Sequence, residues 1–461
     1  MNNRYIKLAS LAISLLYVDL FCGAGGTSTG VELAQVNGEK CAKVIACVNH
    51  DKNAIASHSA NHPDSLHFTE DIRTLELSPL VDYAAKMRKE YPFAKLILWA
   101  SLECTNHSKA KGGMSRDADS RTLANHLFRY INALSPDSIQ IENVEEFLIW
   151  GPLEIKEIHK NGTSYCPLEV VTIDKKKKLK ELRPVWIPIK ERKAEFYNEW
   201  IDKVQEYGYS YDYRLLNAAD YSAYTSRKRL FIQFSIKNMP TVWPAPTHAK
   251  VPEVNLFEIK EQWKPVREVL KLNKIGEDIF AKNRAINTFK RIYKGIVSQV
   301  GETHFLTSYY GNGSAHSIDS PIGTLTTKDR YALHYIQYDY GNSYTTSIDT
   351  VAGSITTSPK HNLMKIQFEV GKYLGPKINK KDPEIVNQIK KYMHEHQISK
   401  IYMRMLDIDE LLQIQGFPKD YKLIGTKTEK KKFIGNSVEV TMAKVLCEAM
   451  AFRLHNNRIA A

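Results

Sequence analysis

A cysteine and a glutamate at the ends of two neighbouring apolar runs are the first residues whose types and placement suggest chemistry. Cys104 follows the run Leu96–Ala100 in the segment Ser101-Leu102-Glu103-Cys104-Thr105-Asn106-His107-Ser108, and Glu142 closes the next run in Ile141-Glu142-Asn143-Val144. If both runs are parallel strands, thiol and carboxyl share the sheet edge where ligands and catalytic groups collect. A lone Cys is usually a small buried hydrophobe, but the polar neighbours of Cys104 argue against burial. This pair suits attack on a pyrimidine ring. Carbon 5 of cytosine is a poor nucleophile, and a thiolate added at carbon 6 turns the ring into an enamine that can take a methyl group. A protonated Glu142 would hydrogen-bond ring N3 and help hold the electrons. Loss of the C5 proton then expels the cysteine. Carbon 6 is out of reach in a stacked duplex, so the chemistry implies base flipping.

The second constellation is Asp19-Leu20-Phe21-Cys22-Gly23-Ala24-Gly25-Gly26, an apolar run ending in a Gly-rich turn. Such a turn brings backbone N–H groups and a helix start close to a ligand. A dinucleotide fingerprint needs a third glycine where Ser28 stands, and no Gly-Lys-Ser/Thr phosphate loop is present. A nucleoside cofactor without a pyrophosphate fits better, and S-adenosyl-L-methionine is the candidate. Two further positions fit its adenosine half. Asn49, in Asn49-His50-Asp51, is placed to reach ribose hydroxyls, and Asp71, followed by Ile72, to accept from the adenine amino group. Taken alone, each reads equally as a helix cap or a surface acid.

These residues need a frame that sets strand ends side by side. Leu16–Phe21, Lys43–Val48, Leu96–Ala100 and Ser138–Ile141 read as buried strands, with Thr29–Leu33, Lys52–Asn61, Leu80–Tyr91 and Arg121–Leu134 as the helices between them. That alternation predicts an α/β fold, a parallel sheet covered on both faces. Tyr211–Asn217 and Leu230–Phe234 continue it. Between Trp150 and Glu195 the composition turns polar, with the run 175–178 of four lysines, which reads as an insertion on the rim of the sheet and as a solvated loop more readily than a phosphate contact. After Trp243-Pro244-Ala245-Pro246 the alternation stops. A 30-residue repeat follows: Tyr310-Gly311-Asn312 returns at Tyr340, Ser317-Ile318-Asp319 at Ser347, Gly323-Thr324-Leu325-Thr326-Thr327 at Gly353, and Ile336-Gln337 at Ile366. Two copies are too few for a solenoid and predict two similar β-rich modules, suited to phosphate and base-edge contacts or simply two hairpins of a scaffold. Ile408–Gln415 and Val440–Arg453 are helical by spacing.

Bulk properties agree with a nucleic-acid partner. Lys+Arg is 64 against Asp+Glu 51, a net charge of +13, which suits a polyanion. Six cysteines without a C-x-x-C pair exclude a zinc ribbon and a disulfide framework, and point to a reducing, cytoplasmic setting. The apolar stretch Leu8–Val18 after Lys7 resembles a signal core, but it runs into Asp19 without a cleavage site and is too short to span a bilayer. No resident metal, no membrane and a monomer are expected.

At this point the chain resembles the cytosine-5 DNA methyltransferase family along nearly its whole length. Asp19–Gly26 is similar to that family's cofactor motif, and Ile141–Val144 to the segment carrying its catalytic glutamate. Thr225-Ser226-Arg227-Lys228-Arg229 matches its Q-x-R-x-R element, Gln415-Gly416-Phe417-Pro418 the motif after its recognition region, and Gly435-Asn436-Ser437-Val438 its last motif. The resemblance implies a methyltransferase sheet with a smaller β-rich target-recognition domain. The expected organisation is a catalytic domain 1–245 with an insertion at 150–195, a recognition domain 246–423, and a segment 424–461 returning to the catalytic domain. It further implies Cys104 as nucleophile, Glu142, Arg227 and Arg229 as catalytic and substrate-positioning residues, and a cofactor site of Asp19, Phe21, Gly23, Gly25, Gly26, Asn49, Asp71, Ile72, Asn436 and Ser437. The implied substrate is double-stranded DNA, and the implied setting is either a restriction-modification system with a separate cognate restriction endonuclease, a phage, or an orphan methylase. The departures are Leu102-Glu103 where the family has Pro-Pro before the cysteine, Asn49 for an acid and Thr225 for Gln. A negative charge at Glu103 is expected to oppose ionisation of the thiol unless His107, Lys109 or Lys111 compensates. A divergent branch of the family has a similar acidic-Cys loop followed by the string at Ser108–Gly113. A tRNA-directed relative and an inactive DNA-binding relative are the rival readings. The size of the recognition region counts against the first, and the joint presence of Cys104, Glu142 and Arg227 against the second.

Overall fold

The computed structural model describes residues 13–102, 123–174, 179–252, 259–302, 305–308, 315–317, 331–339, 344–368 and 373–459. Cys104 and its loop lie outside the described residues, as do the lysine run 175–178 and repeat segments 310–312, 318–327 and 340–342.

The larger sheet is built from β1 (Leu15–Leu20), β2 (Ala42–Val48), β3 (Leu66–Phe68), β4 (Lys95–Ser101), β5 (Ser138–Asn143), β6 (Ser210–Asn217) and β7 (Lys228–Ser235). Its helices are α1 (Gly26–Glu32), α2 (Lys52–Asn61), α3 (Ser78–Glu90), α4 (Leu127–Leu134) and α5 (Glu195–Gln205). The strand order is β6-β7-β5-β4-β1-β2-β3. Strands β1 to β5 run parallel, and β7 is antiparallel to both its neighbours. Every residue of β1 is buried, because helices cover both faces, and this is why it reads as an unbroken apolar run rather than an alternation. Leu16, Val18 and Leu20 join Leu80, Tyr130, Ile131 and Trp200 on one face. Leu15, Tyr17 and Trp99 meet Val31 and the C-terminal helix through Met442, Leu446 and Met450 on the other. The order reverses between β1 and β4, so the crevice for a ligand opens at their C-terminal ends. There Leu20 is level with Ala100 and Val48, and Ser101 is level with Glu142.

Between β5 and α5 three two-stranded ribbons project: Leu153–Ile155 with Trp186–Pro188, Ile158–Lys160 with Thr163–Tyr165, and Leu168–Asp174 with Leu179–Pro184.

The second sheet comprises β8 (Glu277–Asp278), β9 (Phe305–Ser308), β10 (Ala315–Ser317), β11 (Tyr331–Tyr338), β12 (Tyr344–Ser347), β13 (His361–Phe368) and β14 (Ile398–Met405), all antiparallel, in the order β8-β14-β13-β11-β9-β10 with β12 also on β11. The helices here are α6 (Ile286–Glu302), α7 (Glu384–Glu395), α8 (Ile408–Ile414), α9 (Lys427–Asn436) and α10 (Val440–Ile459). One face of this sheet packs on α6 and α7 through Phe289, Ile292, Ile296, Val386, Ile389 and Met393. The other meets α8 and the segment leading back to the larger sheet. The 30-residue repeat is therefore a repeat of strands within one sheet. β11 and β13 are adjacent, antiparallel partners, and Ile336 and Ile366 face opposite cores. Helices α6 and α7 were absent from the β-rich expectation.

Candidate active site

The turn after β1 is held in an uncommon conformation. Phe21, Gly23 and Gly25 all have left-handed backbones, with φ of 59°, 54° and 104°. Such a φ is rare for a residue as bulky as phenylalanine and persists only where its surroundings impose it. Here Cys22 N–H donates to Val48 O at 3.2 Å and Gly25 N–H to Cys22 O at 3.0 Å. The glycines serve different ends. A Cβ on Gly23 would have only Phe21 O, at 4.0 Å, nearby, so this side is open for a ligand. A Cβ on Gly25 would collide with the Tyr421 hydroxyl, and one on Gly26 would lie 2.5 Å from Val438 O and 2.9 Å from Ser437 Cβ.

The last motif thus sits directly against the first. Ser437 is buried and donates to Phe433 O at 2.8 Å, while its carbonyl accepts Gln415 Nε2 at 2.8 Å. Asn436 is exposed beside it, and Tyr421 donates its hydroxyl to Ala24 O. Asn49 directly follows β2, level with the turn and half-buried, its Oδ1 accepting Asp51 N at 2.9 Å.

The remaining expected cofactor residues stand differently. Asp19 is fully buried and accepts Ser28 Oγ at 2.8 Å, and burial pushes its pKa well up. Its place is beneath the turn, bracing α1. Asp71 is clasped by Arg73, whose Nη2 lies 2.6 Å from Oδ2, and this holds its pKa down at about 2. Ile72 is a core side chain whose carbonyl accepts the Tyr130 hydroxyl at 2.9 Å.

At the end of β5, Glu142 is buried and paired with Arg229 Nε at 3.2 Å. Strand pairing enforces this, since β7 lies beside β5 with Phe231 level with Glu142. Arg227 turns the other way. It is buried and donates from Nη1 to Ile355 O at 3.1 Å. The same segment is tied to the second unit by Ser226 N–H to Ala352 O at 3.0 Å and Thr225 Oγ to Gly353 O at 3.3 Å. The structure brings Arg229, not Arg227, onto the carboxylate. Sequence reasoning missed Glu439, which follows the last motif. It is buried, accepts Met442 N at 2.8 Å, and has its pKa pushed up to about 7 by burial, partly offset by hydrogen bonds from Met442 and Thr441 and by the Arg227 charge. A carboxylate one residue past Gly-Asn-Ser-Val was the available signal.

An open glycine turn at the switch point of a doubly wound sheet, with a carboxylate–guanidinium pair beyond it, defines an α/β enzyme built around a nucleoside-type cofactor. More specifically, the chain belongs to the family described as C-5 cytosine-specific DNA methylase, which it matches over residues 15–149 and 189–451. The interval between the two matches is the ribbon insertion. The chain is 25% identical over 233 residues to the Type II methyltransferase M.XorII of Xanthomonas oryzae pv. oryzae, covering 50% of this chain and 43% of that one. It is 28% identical over 131 residues to the Type II methyltransferase M.AgeI of Thalassovita gelatinovora, covering 28% and 27%. The chain thus matches less than half the length of either relative. Among solved structures, the DNMT2 mutant of Spodoptera frugiperda aligns with a TM-score of 0.48 at 15% identity, covering 95% of this chain and 99% of that one. Among the described residues, no helix is long and apolar enough to cross a membrane.

Proposed function

We propose that this protein methylates carbon 5 of cytosine in double-stranded DNA, with Cys104 as the nucleophile and S-adenosyl-L-methionine as the donor. The observation that carries the reading is the Glu142–Arg229 pair, set at a strand end level with Ser101. Cys104 is three positions beyond Ser101 in the sequence, with Leu102 and Glu103 between them, and a chain spans at most about 3.5 Å per residue. The cofactor, when bound, supplies the methyl group that carbon 5 takes up. The open side of Gly23, the left-handed Phe21 turn, Asn49 and Asn436 would hold it, while Asp19, Gly25, Gly26 and Ser437 fix the turn from behind. Asp71 reaches the adenine amino group only by sharing its carboxylate with Arg73.

Cys104 forms a bond from sulfur to carbon 6 of an extruded base, and the ring electrons move toward carbon 5 and N3. Glu142, oriented by Arg229, hydrogen-bonds N3 as this charge develops. Removal of the C5 proton reverses the shift and breaks the C6–S bond, freeing Cys104. Arg227 supports this centre indirectly, by locking the Thr225–Arg229 segment onto the second unit. A role in DNA modification beside a separate endonuclease is the cellular setting proposed.

The test is bisulfite sequencing of DNA from a methylation-free host expressing the protein, beside a Cys104→Ala version. Protected cytosines in one short sequence context, absent with the variant, support the reading. Unprotected DNA despite folded protein that binds the cofactor would reject DNA as the substrate.

A further inference from the structure

Behind the cofactor turn lies a cluster that the methylation chemistry does not use. Cys22 follows β1, Cys47 lies in β2, His58 in α2 and His67 in β3. Cys22, Cys47 and His58 are buried, and their sulfur and nitrogen atoms all lie within 4.8 Å of one another. Cys47 Sγ is 3.5 Å from His58 Nδ1, and His58 Nδ1 is 2.9 Å from His67 Nε2. Cys47 and His67 are register partners across β2 and β3, so their side chains share a face.

The protons point the same way. Ser28 Oγ donates to Asp19 Oδ2 at 2.8 Å. His58 Nε2 lies 2.9 Å from the same hydroxyl oxygen, which accepts from that nitrogen as long as Ser28 donates to Asp19. With its proton on Nε2, His58 offers a lone pair at Nδ1 toward Cys47 and His67. An imidazole oriented through its other nitrogen by a hydroxyl and a carboxylate is the usual support of a metal ligand. His67 also hydrogen-bonds the main chain at Ser65, which fixes its ring.

We propose that Cys22, Cys47, His58 and His67 form a structural zinc site. Zinc binds sulfur at about 2.3 Å and imidazole nitrogen at about 2.0–2.1 Å in a tetrahedron. Those lengths require S···N separations of about 3.5 Å and N···N of about 3.3 Å. The Cys47–His58 separation of 3.5 Å meets the first. His67 Nε2, 2.9 Å from His58 Nδ1, lies outside the 4.8 Å group that Cys22, Cys47 and His58 form, so its ring has to shift to complete the tetrahedron. Two thiolates and two imidazoles favour zinc over magnesium or calcium. The four ligands come from the turn after β1 and from β2, α2 and β3, so the ion would pin the Phe21–Gly25 turn to the β2–α2–β3 unit and hold its left-handed backbone in place. Its role is positional and independent of the methyl-transfer reading.

The experiment is metal analysis of the purified full chain from zinc-supplemented culture, followed by replacement with cobalt(II). The expected result is about one zinc per chain. The cobalt form should show thiolate-to-cobalt charge transfer and strong tetrahedral visible bands. Cys47→Ser should weaken these bands and lower the bound metal at least tenfold, while Cys166→Ser, at an exposed thiol, should change neither. Cobalt spectroscopy of the unaltered protein decides the matter if Cys47→Ser fails to fold. Negligible zinc together with a weak octahedral cobalt spectrum would overturn the proposal and leave a hydrogen-bonded thiol–imidazole network.

Discussion

Glu142 and Arg229 meet through one guanidinium nitrogen at 3.2 Å, with Arg229 half-buried and Glu142 buried. A contact of this kind orients the carboxyl and leaves an oxygen for substrate. Glu142→Gln should therefore lower the single-turnover methylation rate by about 10²–10⁴-fold and leave cofactor affinity, measured by calorimetry, unchanged. Arg229→Lys should lower the same rate, because an ammonium lacks the planar fork that fixes the carboxyl's direction. A rate equal to that of the unaltered protein in either variant would remove the pair from the mechanism. Glu439 makes a different prediction, about stability. Its pKa is about 7 in the folded chain against 4.5 as the ordinary value, because burial opposes its charge. The folded state thus holds a proton that the unfolded state releases between these two values. Stability from this group is full below pH 4.5, falls as pH rises, and levels off above about 7, an effect of roughly 3 kcal/mol. Glu439→Gln should flatten that slope in urea denaturation measured from pH 5 to 8, and the same slope in both proteins would refute the assignment.

Helix α1 shows how one element joins two motifs that are far apart in sequence. Gly26 and Gly30, one turn apart, let α10 approach. A Cβ on Gly30 would strike Val440 O and lie 2.7 Å from Ala443 Cβ. Gly to Ala in a helix ordinarily gains about 0.5–1 kcal/mol, whereas forcing a methyl into packed backbone costs about 1–3 kcal/mol. The clash wins here, so Gly30→Ala should shift the urea midpoint downward and weaken cofactor binding, since Asn436 and Ser437 move with α10. An upward midpoint would show that the helices separate freely. Elements of this kind were legible to different degrees. Strands β1, β2, β4 and β5 and helices α2 and α10 show in the sequence because burial on both faces, or along one helical stripe, writes a continuous pattern. Helix α6 had the same stripe, Phe289, Ile292 and Ile296, but the repeat beside it drew the reading toward strands alone. Glu142 was placed by its strand end. The direction of Arg227 was not, because residues two apart on a strand share a face, whereas Arg227 precedes β7 and is turned by its bond to Ile355, 128 residues away. Asp71 and Ile72 were selected as chain positions, whereas their partners Arg73 and Tyr130 are set by packing.

Among the described residues the two seven-stranded sheets are joined through Ala352–Ile355 and the last motif, with the ribbons outside both. Gly435 has no room for a Cβ because Thr356 O lies against it, so the second copy of the repeat is wedged between the Thr225–Arg229 segment and the last motif. The described ribbon residues of 153–188 are set apart from these joints. Among the described residues none of their side chains joins a hydrophobic core, and Val170 and Leu182, paired across one ribbon, are 58% and 61% exposed. The base is closed by Leu153 opposite Pro188, while Trp150 before it and Tyr197 after it are anchored in the core. Replacing 153–188 by a short Gly-Ser linker should therefore cost little, since the ends already meet and the closure entropy of so short a loop is small. The expected outcome is a melting temperature and cofactor affinity close to those of the full chain, because the turn, Asn49 and the last motif all lie elsewhere. A melting temperature lower by ten degrees or more would mean that the ribbons complete the fold after all. A shortened protein that binds cofactor normally but no longer protects the same cytosines would instead locate part of the DNA-reading surface in the ribbons, where the exposed apolar pair and the neighbouring Lys180 and Arg183 stand ready to contact it.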